Sequence, residues 1–264
     1  MSFPDTQRVK YGKSPLQEVV CQFRFPALLK IDTEPPAAFQ DAIRKIFPDY
    51  QETHELKIEF PPGVSDQIPS EIIRQAVQST TTKNHQFSAE GGDWRVNLTR
   101  TFIALTTTKY DKWEQFRELF QVPFNALLST YSPPHLTRIG LRYINVIKRS
   151  ILGLKDMPWS DLLARHIAGI FGSEEVASQI KSAESSTEIM LSDSESIVRI
   201  ITKLVKATDE DEYCFMIDSD FFNSSKTPIE GALDRMEFLH TRASRLIRWA
   251  ITDRLHNAME PSAI

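Results

Sequence analysis

The sequence predicts an α+β protein made of two successive strand–helix–antiparallel strands–helix units packed as one compact body, ending in a long C-terminal helix. Three observations predict it. Period-two alternation appears at Gln17–Phe25 and again at His135–Arg149, each followed by apolar residues at helical spacing. Hairpin signals then follow in both places, and each half closes on a long amphipathic stripe. Between the halves stands Ser132-Pro133-Pro134, the clearest internal boundary, which divides the chain into residues 1–131 and 132–264.

In the first half, Val19, Cys21, Phe23 and Phe25 share one face of a strand, with Glu18, Gln22 and Arg24 on the other. A helix is expected over Glu34–Phe47, since Phe39, Ile43, Ile46 and Phe47 recur at its period. Pro35 and Pro36 lie in the first turn, where proline is tolerated. A strand at Leu56–Phe60 and a helical turn around Ser70–Gln78 come next. Gln86–Ala89 and Trp94–Leu98 flank Glu90-Gly91-Gly92-Asp93, whose glycines supply the positive φ of a hairpin. Phe102–Thr108 adds a Thr-rich, β-branched strand. Trp113, Phe116, Phe120, Phe124, Leu127 and Leu128 stripe a helix over Asp111–Ser129, which Pro123 should kink or divide.

The second half repeats the order. His135–Arg149 is a long strand with Ile139, Leu141, Tyr143 and Ile147 on one face, and Trp159–Phe171 is helical. Thr187–Leu191 and Ser196–Val205 form a hairpin around Ser192-Asp193-Ser194-Glu195. Tyr213–Asp218 is a strand, and Pro228–Met259 a long helix. Sliding one half over the other lays Cys21-Gln22-Phe23-Arg24-Phe25 on Ile139-Gly140-Leu141-Arg142-Tyr143, as an internal duplication would.

The composition narrows the function. The 264 residues carry 31 Lys plus Arg against 35 Asp plus Glu, a net charge of −4, and neither half has a basic excess. Proteins that mainly neutralise phosphates show a basic excess, so nucleic acid is not the expected partner. Only nine glycines are present, about half the usual share of roughly 7%. Glycine-rich phosphate loops are absent, as are GxSxG and HExxH patterns. Cys21 and Cys214 form no CxxC pair and read as buried thiols in a reducing compartment. Met1-Ser2-Phe3-Pro4-Asp5 lacks the pattern of a secretory signal, and no apolar run approaches the ~18 residues of a membrane span. The expected location is the cytoplasm, with no membrane and no cofactor.

Three groups of residues could carry function. In Arg138-Ile139-Gly140-Leu141-Arg142-Tyr143-Ile144-Asn145, alternation puts Arg138, Gly140 and Arg142 on one strand face. Two guanidiniums beside a bare glycine could clamp a small anion or nucleotide, or pair with carboxylates of a neighbouring strand. Asp218 and Asp220 also share a face and could hold a divalent metal for hydrolase or nuclease chemistry. On the C-terminal helix, Met236, Leu239, Ala243, Leu246, Ile247 and Ala250 form the core stripe. Roughly 120° away, Arg235, Phe238, Arg242, Arg245, Trp249 and His256 share a second sector. Arginine with aromatics is the composition of an interface centre.

Tyr11-Gly12-Lys13-Ser14-Pro15-Leu16-Gln17-Glu18-Val19, Phe23-Arg24-Phe25-Pro26, the Arg138–Asn145 run, Ile217-Asp218-Ser219-Asp220 and the helix from Leu239-His240 to Ile251-Thr252 together carry a resemblance. The chain resembles a sporadically distributed family of prokaryotic proteins of about this length whose function is uncharacterised. The resemblance implies an accessory role in a defence or mobile-element system and brings no catalytic residues with it. The leading expectation is therefore a cytoplasmic, non-enzymatic binding protein, a homodimer or the partner of another protein, that uses the second face of the C-terminal helix.

Overall fold

The alternation of the first strand is realised residue for residue: Val19, Cys21, Phe23 and Phe25 are all buried. The structure, a computed structural model, describes residues 3–56, 81–206 and 212–263. It is α+β with antiparallel pairing throughout. In chain order it contains β1 (Val9–Tyr11), β2 (Leu16–Arg24), α1 (Lys30–Thr33), α2 (Ala37–Ile43), β3 (Asp49–Leu56), β4 (Thr81–Ser88), β5 (Trp94–Thr99), β6 (Phe102–Thr107) and α3 (Trp113–Tyr131). Then follow β7 (Arg138–Ile147), α4 (Trp159–Leu162), α5 (Arg165–Ala168), β8 (Glu184–Met190), β9 (Ser196–Lys206), β10 (Tyr213–Asn223), α6 (Ala232–Ala250), α7 (Asp253–Ala258) and β11 (Pro261–Ala263).

The chain divides into two compact units. One comprises Met1–Cys21, Thr108–Tyr110 and Arg138–Ile264; the other comprises Gln22–Thr107 and Asp111–Thr137. The first 21 residues and Thr108–Tyr110 thus belong to the unit that contains Arg138–Ile264. Each unit contains an antiparallel meander followed by a 19-residue helix, α3 in one and α6 in the other.

In the Gln22–Thr137 unit the strand order is β3-β4-β5-β6. The β4–β5 hairpin turns through Gly91 and Gly92 at φ 86° and 76°, where a side chain would be strained. Helix α3 lays its aromatic stripe on this unit's core: Phe23 meets Phe120 and Phe124 edge-on at 4.7 and 5.0 Å. The helix runs undivided through Pro123 and ends at Ser132, which adopts φ 47°. Of the helix expected over Glu34–Phe47, Ala37–Ile43 is helical as α2, opening directly after Pro35 with Pro36 as its N-cap, while the single turn α1 precedes the expected span. The turn expected around Ser70–Gln78 and the strand beyond Leu56 lie outside the described residues.

In the other unit the order is β2-β7-β10-β9-β8. Helix α6 packs on β7 and β10 with Met236, Leu239, Leu246 and Ala250 buried. The helical stretch expected at Trp159–Phe171 is broken into α4, α5 and a 3₁₀ turn at Gly169–Gly172. The long C-terminal helix is broken too. Ile251 is extended and bridges to Leu163, with Ala164 donating to the Ala250 carbonyl and Thr252 to that of Leu162. Burying Ile251 in that bridge ends α6, and Thr252 caps the new helix α7 through the Leu255 amide. The short strands β1 and β11 pair separately, Lys10 opposite Ser262.

Candidate functional site

All the residues singled out above belong to the unit that contains α6. The first cluster is set by the register of β7, β10, β9 and β8. Arg142 stands opposite Asp220, Asp220 opposite Arg199, and Arg199 opposite Glu188. Opposed residues of an antiparallel sheet share a face, so four strands present one row of alternating charge. The bonds within it are partly diagonal. Arg142 donates from Nε and Nη2 to both oxygens of Asp218, at 2.7 and 2.5 Å. Arg138 places Nη2 at 2.9 and 2.7 Å from the two oxygens of Asp220. Arg199 and Glu188 meet at 2.6 Å, and Lys203 and Glu184 at 2.9 Å.

The two guanidiniums considered for an anion clamp are therefore closed on the two carboxylates considered for a metal, and the four charges cancel. The hydrogen bond to Asp218, and then its charge with those of Asp220 and Glu18, hold the Arg142 guanidinium above its ordinary pKa against the opposing effect of burial. Gly140 has an internal explanation. A side chain there would collide with Arg138, whose Cζ lies 2.9 Å from the position of a Cβ. Arg138 crosses this bare spot to reach Asp220 and lies 4.8 Å from the centre of the Phe222 ring. Among the described residues no group of three or more His, Cys, Asp or Glu side chains could hold a metal ion.

Tyr143 and Asn145 occupy the other face of β7, toward α6. Asn145 is buried. The Tyr143 hydroxyl is 3.0 Å from His240 Nδ1, and its ring meets Tyr110 edge-on at 6.1 Å. Burial, and then Tyr110, push the Tyr143 phenol well above its ordinary pKa, so it stays protonated and serves as a hydrogen-bonding post under α6. Cys21 Sγ approaches Met236 Sδ at 3.4 Å, and burial raises its thiol pKa as well.

The second face of α6 holds its arginine–aromatic sector, and the chain itself occupies both ends of it. At one end Arg235 pairs with Asp193 at 2.6 Å and Glu195 at 3.0 Å, both from the β8–β9 turn. At the other, Trp249 stacks on His166 with centroids 3.9 Å apart and meets Phe3 at 5.1 Å. Phe3 also touches Phe221, and Asp5 pairs with Arg245 at 2.7 Å. Phe3 is 2% exposed, whereas Pro4, Asp5, Gln7 and Arg8 around it are open. Phe3 is thus the buried side chain that sits against Trp249, with the Asp5–Arg245 pair beside it. His256, expected on the same sector, lies instead on α7 beyond the break at Ile251, where its Nδ1 is 2.9 Å from the Tyr11 hydroxyl.

The middle of the sector is different. Arg242 lies over Phe238, its Cζ 3.6 Å from the ring centre, and donates to the Phe238 carbonyl. Among the described residues no carboxylate is in ion-pair contact with it. Burial, and then the cation of Arg245, push the Arg242 guanidinium below its ordinary pKa, with Asp193 opposing. Every residue of α6 except Asp234 is at least partly covered.

Sequence reasoning did not find Phe3, Asp5, His166 or the Asp193–Glu195 turn as partners of this helix. All are distant in the chain, and only the β8–β9 turn left a local signal. No described helix is long and apolar enough to cross a membrane. No family model matches the chain, and it has no detectable similarity to a curated protein or to a solved structure.

Proposed function

We propose that this chain is an interaction protein that works in the cytoplasm and binds a carboxylate-bearing protein surface, a second copy of itself first of all, through the Phe238–Arg242 stretch of α6. One observation carries the reading: Arg242 is a partly buried cation over an aromatic ring, with no carboxylate among the described residues in ion-pair contact with it. Desolvating a guanidinium costs free energy that an internal ion pair usually offsets. Arg235 and Arg245 on the same helix have such pairs, and Arg242 has none with a described residue. Stacked on Phe238, it holds its guanidinium in one orientation, which favours recognition over mere solubility. Two buried cysteines outside any disulfide suit a reducing compartment. An accessory role in defence or in a mobile element follows from the family resemblance.

The test is sedimentation equilibrium of the wild type and of Arg242→Glu and Phe238→Ala variants over a range of concentrations. The reading expects association in the wild type that both variants weaken. Wild type that stays monomeric at every concentration, unchanged by either variant, removes it. The alternative, an anionic small molecule or nucleotide gripped by Arg138 and Arg142, requires breaking two bidentate ion pairs first. A metal at Asp218 and Asp220 requires the same.

A further inference from the structure

Asp234, Phe238 and Arg242 follow one another at intervals of four residues, which places them along a single line on α6, within a sector of about 80°. Phe238 stands midway. Asp234 is the one exposed residue of the helix. Like Arg242, it is in ion-pair contact with no described residue. The flanking charges, by contrast, are already committed within the chain: Arg235 to Asp193 and Glu195, Arg245 to Asp5. What remains uncommitted on the sector is one anion and one cation, placed symmetrically about an aromatic ring.

That symmetry identifies an occupant. When two copies of one helix cross antiparallel about a two-fold axis, residues equally far from the crossing point face each other. With the axis at Phe238, Asp234 of each copy faces Arg242 of the other, and both pairs form together. Each lies four residues, about 6 Å of helix, from the axis, within the reach of an arginine side chain. The two Phe238 rings then meet on the axis, each backed by its own stacked Arg242. We propose that a second copy of this chain docks on α6 in this way, with Asp234 as the acceptor for Arg242 of the partner copy. This rests on the reading of α6 as a self-association face and adds its symmetry, its register and the acidic residue that completes it.

Charge reversal tests it on the full-length chain. Asp234→Arg sets two arginines opposite each other, and Arg242→Asp two aspartates, so each single variant should weaken association on the order of ten-fold. The double variant restores opposite charges in the same register and should associate nearly as the wild type does. Independently, Phe238→Cys places a thiol on the axis, and an added two-electron oxidant, copper–phenanthroline in air, should take two electrons and two protons from the facing thiols to give a disulfide-linked dimer; Cys21 and Cys214 are buried and do not compete. Circular dichroism confirms that each variant is folded before its association is read. Restoration by the double variant together with cross-linking supports the proposal. Single variants that dissociate while the double variant does not recover overturn the two-fold register but leave α6 as a contact face. Association that ignores all three charge variants, or none at any concentration, overturns both.

Discussion

Arg138 reaches Asp220 by lying across Gly140, so that the glycine two residues along its own strand is the surface on which the guanidinium rests. On β10, Phe222 stands opposite Gly140 and closes the side of this channel. The Arg-x-Gly-x-Arg spacing therefore has a packing origin: the glycine makes room for an ion pair between strands.

Gly140→Ala should destabilise the fold by about 1–3 kcal/mol, as overpacking of a tight site does. The methyl group displaces Arg138 from Asp220. In an Arg138→Ala background the same substitution should cost much less, because nothing remains to collide. Urea denaturation of the four proteins of this cycle checks it, and equal costs in both backgrounds would refute the account.

The ion pairs on this face should differ in value according to burial. Asp218 is 6% exposed and accepts two bonds from Arg142, so Asp218→Asn should cost about 1–3 kcal/mol. Glu188 and Arg199 are each about half exposed. Glu188→Gln should cost no more than about 1 kcal/mol and lose that difference in high salt. Thermal denaturation at low and high salt separates them.

Stability should fall as solutions are acidified below neutrality. Burial pulls the pKa of His166, stacked on Trp249, below its ordinary value of 6.5, and burial and then Arg248 do the same for His256. Above that value the histidines are neutral in both states and contribute no slope. As pH drops below about 6.5 the unfolded chain takes up protons that the folded histidines refuse, so stability is lost until the folded side chains protonate as well. His166→Gln should flatten part of the decline in melting temperature between about pH 7 and pH 5. Asp193 acts at lower pH: burial raises its pKa, but bonds from Ser196 and Glu195 and the charge of Arg235 outweigh it and hold the carboxyl below its usual 3.8.

Phe3→Ala should uncover Trp249 without unfolding the protein, since Phe3 is the single buried anchor of a segment whose other side chains are mostly open. Tryptophan emission should move to the red and cleavage by proteases in residues 3–11 should quicken, while Trp249→Phe abolishes the emission change. An unchanged spectrum in Phe3→Ala would show that Trp249 is shielded by His166 alone.

Much of the fold was legible locally. Period-two alternation located β2 and β7, the paired glycines located the β4–β5 turn, and the aromatic stripe located α3, because each of these patterns reports a local backbone geometry. The errors have local causes too. The helix that opens after Pro35 and Pro36 stops at Ile43, short of Phe47, and Pro123 did not divide α3. Ile251 left the helical path for a bridge with Leu163, a partner far away in the chain.

By itself, the sequence determined which face of each strand and helix is apolar, that Arg138, Gly140 and Arg142 share a face, and that α6 carries a second sector rich in arginine and aromatics. Only the tertiary structure decided which charges cancel. Asp218 and Asp220 meet the arginines through the register of β7 and β10, and Phe3 and Asp5 reach Trp249 and Arg245 across more than two hundred residues of chain. Periodicity tells which way a side chain points, whereas a charge is satisfied by whatever lies within about 4 Å of it in space, and that neighbour is chosen by the packing of distant segments.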